Sequence, residues 1–143
     1  MTRHFHRDGT TPHGEDWIWV FGSNLAGRHG AGAAKVARFE FDAAWGVAEG
    51  PTGRAYAIPT KDERLRTLPL EGIKESVDRF IEYALNHQDQ RFFVTRIGCG
   101  LAGYHDIQIA PLFGSVPENC SLPGEWRHLI HLSPQSLRAA LGS

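Results

Sequence analysis

Cysteine is scarce: Cys99 and Cys120 are the two in 143 residues, too few for a disulfide scaffold. Charge of one sign is not in excess either. Fifteen Lys and Arg stand against sixteen Asp and Glu, a net charge of −1. That balance argues against binding nucleic acid through bulk electrostatics and leaves room for a local basic patch. Long apolar runs are missing. A typical one, Trp17 to Phe21, is far too short to span a membrane. The polar residues 1–16 carry three histidines and no apolar stretch of the kind a secretory signal needs, so the expected compartment is the cytoplasm. With 41% hydrophobic and 22% charged residues, the chain has the composition of a packed globular domain, and its length suits one. Glycine is what is plentiful: sixteen residues, against a usual share of about 7%, and they cluster.

Residues 1–16 read as an extended arm or an irregular first strand, and residues 17–143 as a single domain. Asp16 to Gly22 has the aromatic and β-branched content of a buried strand. Ala33 to Trp45 follows helical spacing, with Ala33, Val36, Ala37, Ala44 and Trp45 on the buried side and Gly46 as the stop. Residues 49–53 form a turn. Ala55 to Ile58 is a short strand ended by Pro59, and residues 60–68 form a charged loop. Leu70, Ile73, Val77, Phe80, Ile81 and Ala84 make one apolar face of a helix over 69–87, with Pro69 in its first turn. Arg91 to Ile97 is a strand, Ile107 to Phe113 a short helix, and residues 114–126 are rich in turns. His128 to Leu132 is a final strand, and Pro134 to Leu141 a terminal helix. This alternation predicts an α/β fold, a three-layer α/β/α sandwich on a mixed, mainly parallel sheet.

Two glycine-rich segments each follow a buried strand. One runs over Gly22, Ser23 and Asn24 to His29, Gly30, Ala31, Gly32 and Ala33. The other is Gly98, Cys99, Gly100, Leu101, Ala102 and Gly103, followed by Tyr104. Ligands of α/β folds bind at the carboxyl ends of strands. Glycine there lets backbone amides come close to a ligand, and a helix N-terminus near Gly32 adds a favourable dipole for an anion. Such a cradle needs no net positive charge. Residues 98–103 match G-x-G-x-x-G, but a Rossmann fold wants this near its start with an acidic residue on a second strand; only 40 residues follow Gly103, and the nearest acid beyond the loop helix, Glu118, falls in a turn. The first segment lacks the Lys-Ser/Thr ending of a P-loop.

These residues resemble the macrodomain superfamily, the α/β/α modules that bind ADP-ribose. Val20 to Asn24 and Arg28 to Ala34 are similar to its first ligand loop and helix, and Arg96 to Leu101 to its phosphate loop. Within it, the RIGCGL run and the segment Tyr56 to Lys61 resemble terminal ADP-ribose protein glycohydrolase. Phage-like and bacterial proteins with GSN-x-x-GRHGAGAA and YAIPTKD are more similar still. The resemblance covers residues 17–115. It implies ADP-ribose, or a macromolecule carrying it, as partner, no cofactor, no membrane, and nucleic acid only as a modified substrate. It implies Asn24 facing the distal ribose, with the amides of 30–33 and 98–104 holding the diphosphate. Tyr104 would lie near the distal ribose or the pyrophosphate, and Lys61 would attack the anomeric carbon. The branch carries a catalytic aspartate after GCGL. Here that position is Ala102, and Asp62 and Asp106 do not match it. A binder without turnover is therefore the second expectation.

Each candidate has an ordinary structural reading. Lys61 as an amine nucleophile needs neighbouring cations or desolvation, for which Arg64 and Arg66 are candidates; KDERLR is equally a solvated charge run. Asn24 could cap its loop. His29 could carry a proton but has no orienting partner in view, and Asp106 could activate water or cap the helix after it. Asp8 and Asp16 are the candidates for adenine contacts. The pairs His4-x-His6 and His128-x-x-His131 lack a third partner at zinc spacing, so no metal is expected. Cys99 is small enough to pack a tight loop, and a nucleophilic role would need a lowered pKa and a paired base. Trp17, Trp19, Phe21, Phe39, Phe41 and Trp45 read as core, although one could stack on adenine.

Overall fold

The computed structural model describes residues 3–14 and 16–132. The expected terminal helix, Pro134 to Leu141, lies outside the described residues. Six strands form one sheet: β1 (Phe5–His6), β2 (Trp17–Asn24), β3 (Gly50–Thr52), β4 (Ala55–Lys61), β5 (Arg91–Val94) and β6 (Cys120–Pro123), in the order β1-β6-β5-β2-β4-β3. Every adjacent pair is parallel except β3 with β4. The sheet is mixed and mainly parallel, as expected.

Helices cover both faces. α2 (Leu70–Leu85), the short α3 (Asp106–Ile109) and the 3₁₀ turn Ala110–Phe113 pack one face, where Ile73, Val77, Phe80, Phe92, Phe113 and Trp126 are fully buried. Each large apolar side chain so buried contributes about 1.5–3 kcal/mol. α1 (Gly32–Glu40) covers part of the other face over Trp19, Phe21 and Ala57. Two apolar clusters separated by a sheet make the α/β/α sandwich. No helix among the described residues is long and apolar enough to cross a membrane.

Several boundaries differ from expectation. α1 ends five residues early. Phe41 turns inward to stack on Trp19 at 5.0 Å, Asp42 takes a left-handed φ of 59°, and the Ala43 N–H returns to Ala37 O. Trp45 is consequently 53% exposed, Phe39 is exposed as well, and Gly46 caps nothing. Residues 50–52 are an edge strand rather than a turn. β4 continues through Pro59 to Lys61 because β3 pairs only with Ala55–Ala57. Pro59 falls between that pairing and the bridge of Lys61 with Thr67, where a missing N–H is tolerated. The strand expected at 128–132 is a run of turns, with Ile130 dipping into the core. The real sixth strand is Cys120–Pro123, buried between β5 and β1.

Candidate functional site

Parallel strands β1, β5, β2 and β4 end at one edge of the sheet, and a cavity of about 710 Å³ lies along it. The strand order fixes the order of its walls. Asp8 to Thr11 follow β1 at one end. Thr95 to Ala102 follow β5. Gly22 to Asn24 close β2, and Thr60 and Lys61 close β4 at the far end. Both glycine segments meet here: Gly30, Ala31, Gly32 and Ala33 from the first, and Gly98, Cys99, Gly100, Leu101 and Ala102 from the second.

The first segment is shaped by Asn24. Its Nδ2 donates to Arg28 O at 2.8 Å and its Oδ1 accepts from Arg28 N at 3.0 Å. The side chain thus closes the loop, and only 8% of the residue is exposed. Ala31 precedes α1 with no side-chain cap, so the first-turn amides of α1 have no intrahelical partner. Gly32, Ala33 and Ala34 line the cavity, which leaves this helix start suited to an anion.

The second segment is braced by charge. Arg96 forks onto Asp106 at 2.9 and 2.7 Å and reaches Asp8 at 3.3 Å; the Trp126 indole N–H donates to Asp106 at 2.7 Å. Burial pushes the Asp106 carboxyl upward, but the hydrogen bonds from Arg96 and Trp126 outweigh it and the net direction is down. The expected cap of α3 is instead His105, with Asp106 inside the first turn. Asp106 does not line the cavity. Its carboxylate is committed to Arg96 and Trp126 rather than to a water.

Other expected positions also move. His29 is fully buried against Phe21, its Nε2–H donating to Val47 O at 2.9 Å and its Nδ1 without a partner. Burial lowers its pKa, so it is a neutral core imidazole and not a proton carrier in the cavity. Gly103 and Tyr104 lie outside the lining; the Tyr104 hydroxyl donates to Leu68 O at 2.6 Å. Burial pushes the Cys99 thiol up to about 12, with Asp106 adding to the effect, which removes it as a nucleophile at neutral pH. Lys61 is half-buried at the cavity end, and no salt bridge holds it among the described residues. The Asp62 carboxylate accepts from the amides of Arg64 and Arg66 and pairs with the Arg66 side chain at 2.9 Å. Asp16 pairs with Arg91 at 2.5 Å, away from the cavity, whereas Asp8 lines it.

His4 and His6 both reach Ser121 Oγ, at 2.6 and 2.7 Å. Among the described residues no group of three or more His, Cys, Asp or Glu is placed to hold a metal. The walls missed from sequence are His6, Thr10 and Thr11, together with Phe93, on which His6 stacks at 3.7 Å, and Thr95. Phe93 and Thr95 come with β5, while His6, Thr10 and Thr11 reach the cavity because β1 lies next to β6, a pairing across more than 110 residues.

No protein-family model matches the sequence, and no curated protein matches it. Two solved structures are similar in fold. One is a protein of unknown function from Bacteroides thetaiotaomicron, at 15% identity and a TM-score of 0.57, over 86% of this chain and 98% of that one. The other is an alphavirus P23pro-zbd, at 13% identity and a TM-score of 0.62, over 99% of this chain. This chain spans 24% of that viral chain.

Proposed function

We propose that the chain recognises ADP-ribose in this cavity and removes it hydrolytically from a modified acceptor. The observation that carries the reading is the convergence of the two glycine segments, Gly30–Ala33 and Gly98–Ala102, on one cavity. Backbone amides and an uncapped helix start offer donors for a diphosphate without requiring positive charge. The site resembles the loops of the macrodomain superfamily in residue type and order, which makes ADP-ribose the ligand of choice. The free thiols of Cys99 and Cys120 suit the reducing cytoplasm.

In this proposal Lys61 acts at the distal ribose. As a free amine, Nζ attacks the anomeric carbon while the acceptor leaves with the bonding pair and takes up a proton. Water then releases ADP-ribose and regenerates the amine, the two-step logic of covalent glycoside chemistry. A second reading, binding without turnover, is favoured by one observation: neither Asp62 nor Asp106 has a carboxylate free to assist Lys61. Position 102 is alanine, Asp62 is tied to Arg64 and Arg66, and Asp106 to Arg96 and Trp126.

Calorimetry with ADP-ribose tests recognition. Ligand at about 100 times its dissociation constant should add about 2.7 kcal/mol of stability. A mass-shift assay on ADP-ribosylated protein and nucleic acid tests turnover. Release that disappears in Lys61→Ala with binding retained supports the lysine's role. Release unchanged in that variant removes Lys61 from the mechanism, and binding without release by the wild type leaves the second reading.

A further inference from the structure

Beside the cavity mouth, α1 brings positive charge and exposed aromatic surface together. Lys35 and Arg38 lie one turn apart on the helix and are exposed; Arg28, in the loop before it, is exposed and lines the cavity. Among the described residues none of the three pairs with a carboxylate. The helix carries one acid, Glu40, and Asp42 just beyond it is held by Arg54 at 3.1 Å. The overall charge is −1, so this concentration of cations is local.

The aromatic part has the same centre. Phe39 is 66% and Trp45 53% exposed. The Arg38 guanidinium lies 5.0 Å from the Phe39 ring centroid and 4.7 Å from that of Trp45, bridging the two rings. Trp45 opens a segment that is held in place. His29 donates to Val47 O, Ser23 Oγ to Ala48 O, and Arg79 pairs with Glu49. Trp45 also lines the cavity. The next residue, Gly46, donates its N–H to Gly27 O at 2.8 Å, so Trp45 stands beside the loop that follows β2.

Two exposed rings joined by a guanidinium and flanked by unpaired cations match a chemistry that stacks bases and neutralises phosphates. An acidic peptide would use the cations and leave the rings without a role. A duplex keeps its base faces inside. We propose that this face of α1 binds single-stranded nucleic acid, with Trp45 and Phe39 stacking on bases and Arg28, Lys35 and Arg38 contacting phosphates. Strand binding stands without the proposed function. The further point, that this strand carries the modified unit into the cavity past Trp45, rests on it.

Fluorescence anisotropy with a labelled oligothymidylate of about 12 nucleotides, within the usual site sizes, tests the surface at several salt concentrations. Three phosphate contacts give a log–log salt slope of about −2. The double variant Lys35→Gln, Arg38→Gln should flatten it by about 1.4. Trp45→Ala and Phe39→Ala, two independent exposed positions, should each weaken binding about fivefold or more. Lys74→Gln on α2 should change nothing, and the matching duplex should bind more weakly. The proposal is overturned by no binding at low salt, by a slope the double variant leaves unaltered, by aromatic variants that bind like wild type, or by equal binding of the duplex. Polyglutamate binding as tightly through Arg38 would overturn it in favour of an acidic protein partner. ADP-ribose calorimetry separates the two proposals. Oligonucleotide binding without ADP-ribose binding keeps this surface and removes the proposed function; the converse removes the surface alone.

Discussion

The glycine segment after β2 is held by neutral contacts, whereas the one after β5 is held by charges. In the first, both ends of the Asn24 amide close on Arg28, and Gly27 packs against the Gly46 backbone, whose N–H donates to Gly27 O at 2.8 Å. In the second, Arg96 gathers Asp106 and Asp8, and Trp126 completes the carboxylate. Each segment has one glycine that is both left-handed and crowded, and one that is neither. Gly27 (φ 68°) and Gly98 (φ 78°) are left-handed and crowded, while an added Cβ at Gly30 or Gly100 would meet nothing within 4 Å. Similar composition therefore hides two supports with different sensitivities, and a division between glycines that shape the loop and glycines that face the cavity.

The largest effect is expected at Gly27. A Cβ there would lie 2.3 Å from the Gly46 carbonyl carbon, and backbone cannot yield as a side-chain tip can. Gly27→Ala should cost about 3 kcal/mol or more in urea denaturation; a cost below about 1 kcal/mol would mean the close approach is not real. Next comes Asp106→Ala, which strands the Arg96 guanidinium and the Trp126 N–H. The pair is partly solvated, so the loss is about 2 kcal/mol, below that of a fully buried pair. Matching changes at Asn24 should be insensitive to pH, and those at Asp106 should not.

Acid sharpens the contrast. Asp106 has a lowered folded pKa, so its contribution is present above the ordinary carboxylate pKa of about 3.9 and disappears as pH falls through the lower folded value. His6, on the same side of the cavity, is pushed down to about 4 chiefly by burial. It contributes stability that is complete above its ordinary value of about 6.5 and is lost as pH falls towards 4. After allowance for solvent, about 2 kcal/mol should vanish over that window. His6→Gln should flatten this part of the stability profile and keep the fall below pH 3.9. His29, also lowered by burial, leaves a residual slope of the same sign in that variant.

The smallest structural effect is expected at the open glycines. Gly30→Ala and Gly100→Ala should shift stability by less than about 1 kcal/mol. Both should still weaken ADP-ribose binding in calorimetry, because a methyl group limits how near the amides come. Wild-type affinity in both variants would show that these amides do not touch the ligand.

Much of this was legible locally. α2 announces itself by six apolar residues on one face, and all but Leu70 are buried. β2 is marked by its aromatic run, although it extends two residues beyond the expected end to carry Ser23 and Asn24 to the cavity. The glycine segments are visible as clusters after strands. Other features were not legible. HLIHL alternates like a strand and is turns, whereas CSLP looks like a turn and is β6. A strand buried on both faces needs no alternation, and its identity depends on the neighbours that cover it. The end of α1 depends on Phe41 finding Trp19, which no local stop signal encodes.

The sequence by itself determined most of the alternation of strands and helices and the two loops rich in glycine, because these follow from periodicity and residue type along a few turns of chain. The tertiary structure alone decided that Asp106 braces a loop, that His29 is core, that residues 8–11 form a wall and that Trp45 is exposed. Those outcomes depend on contacts between residues far apart in the chain, such as Arg96 with Asp8 across 88 positions, and they exist only once the sheet order has brought the partners together.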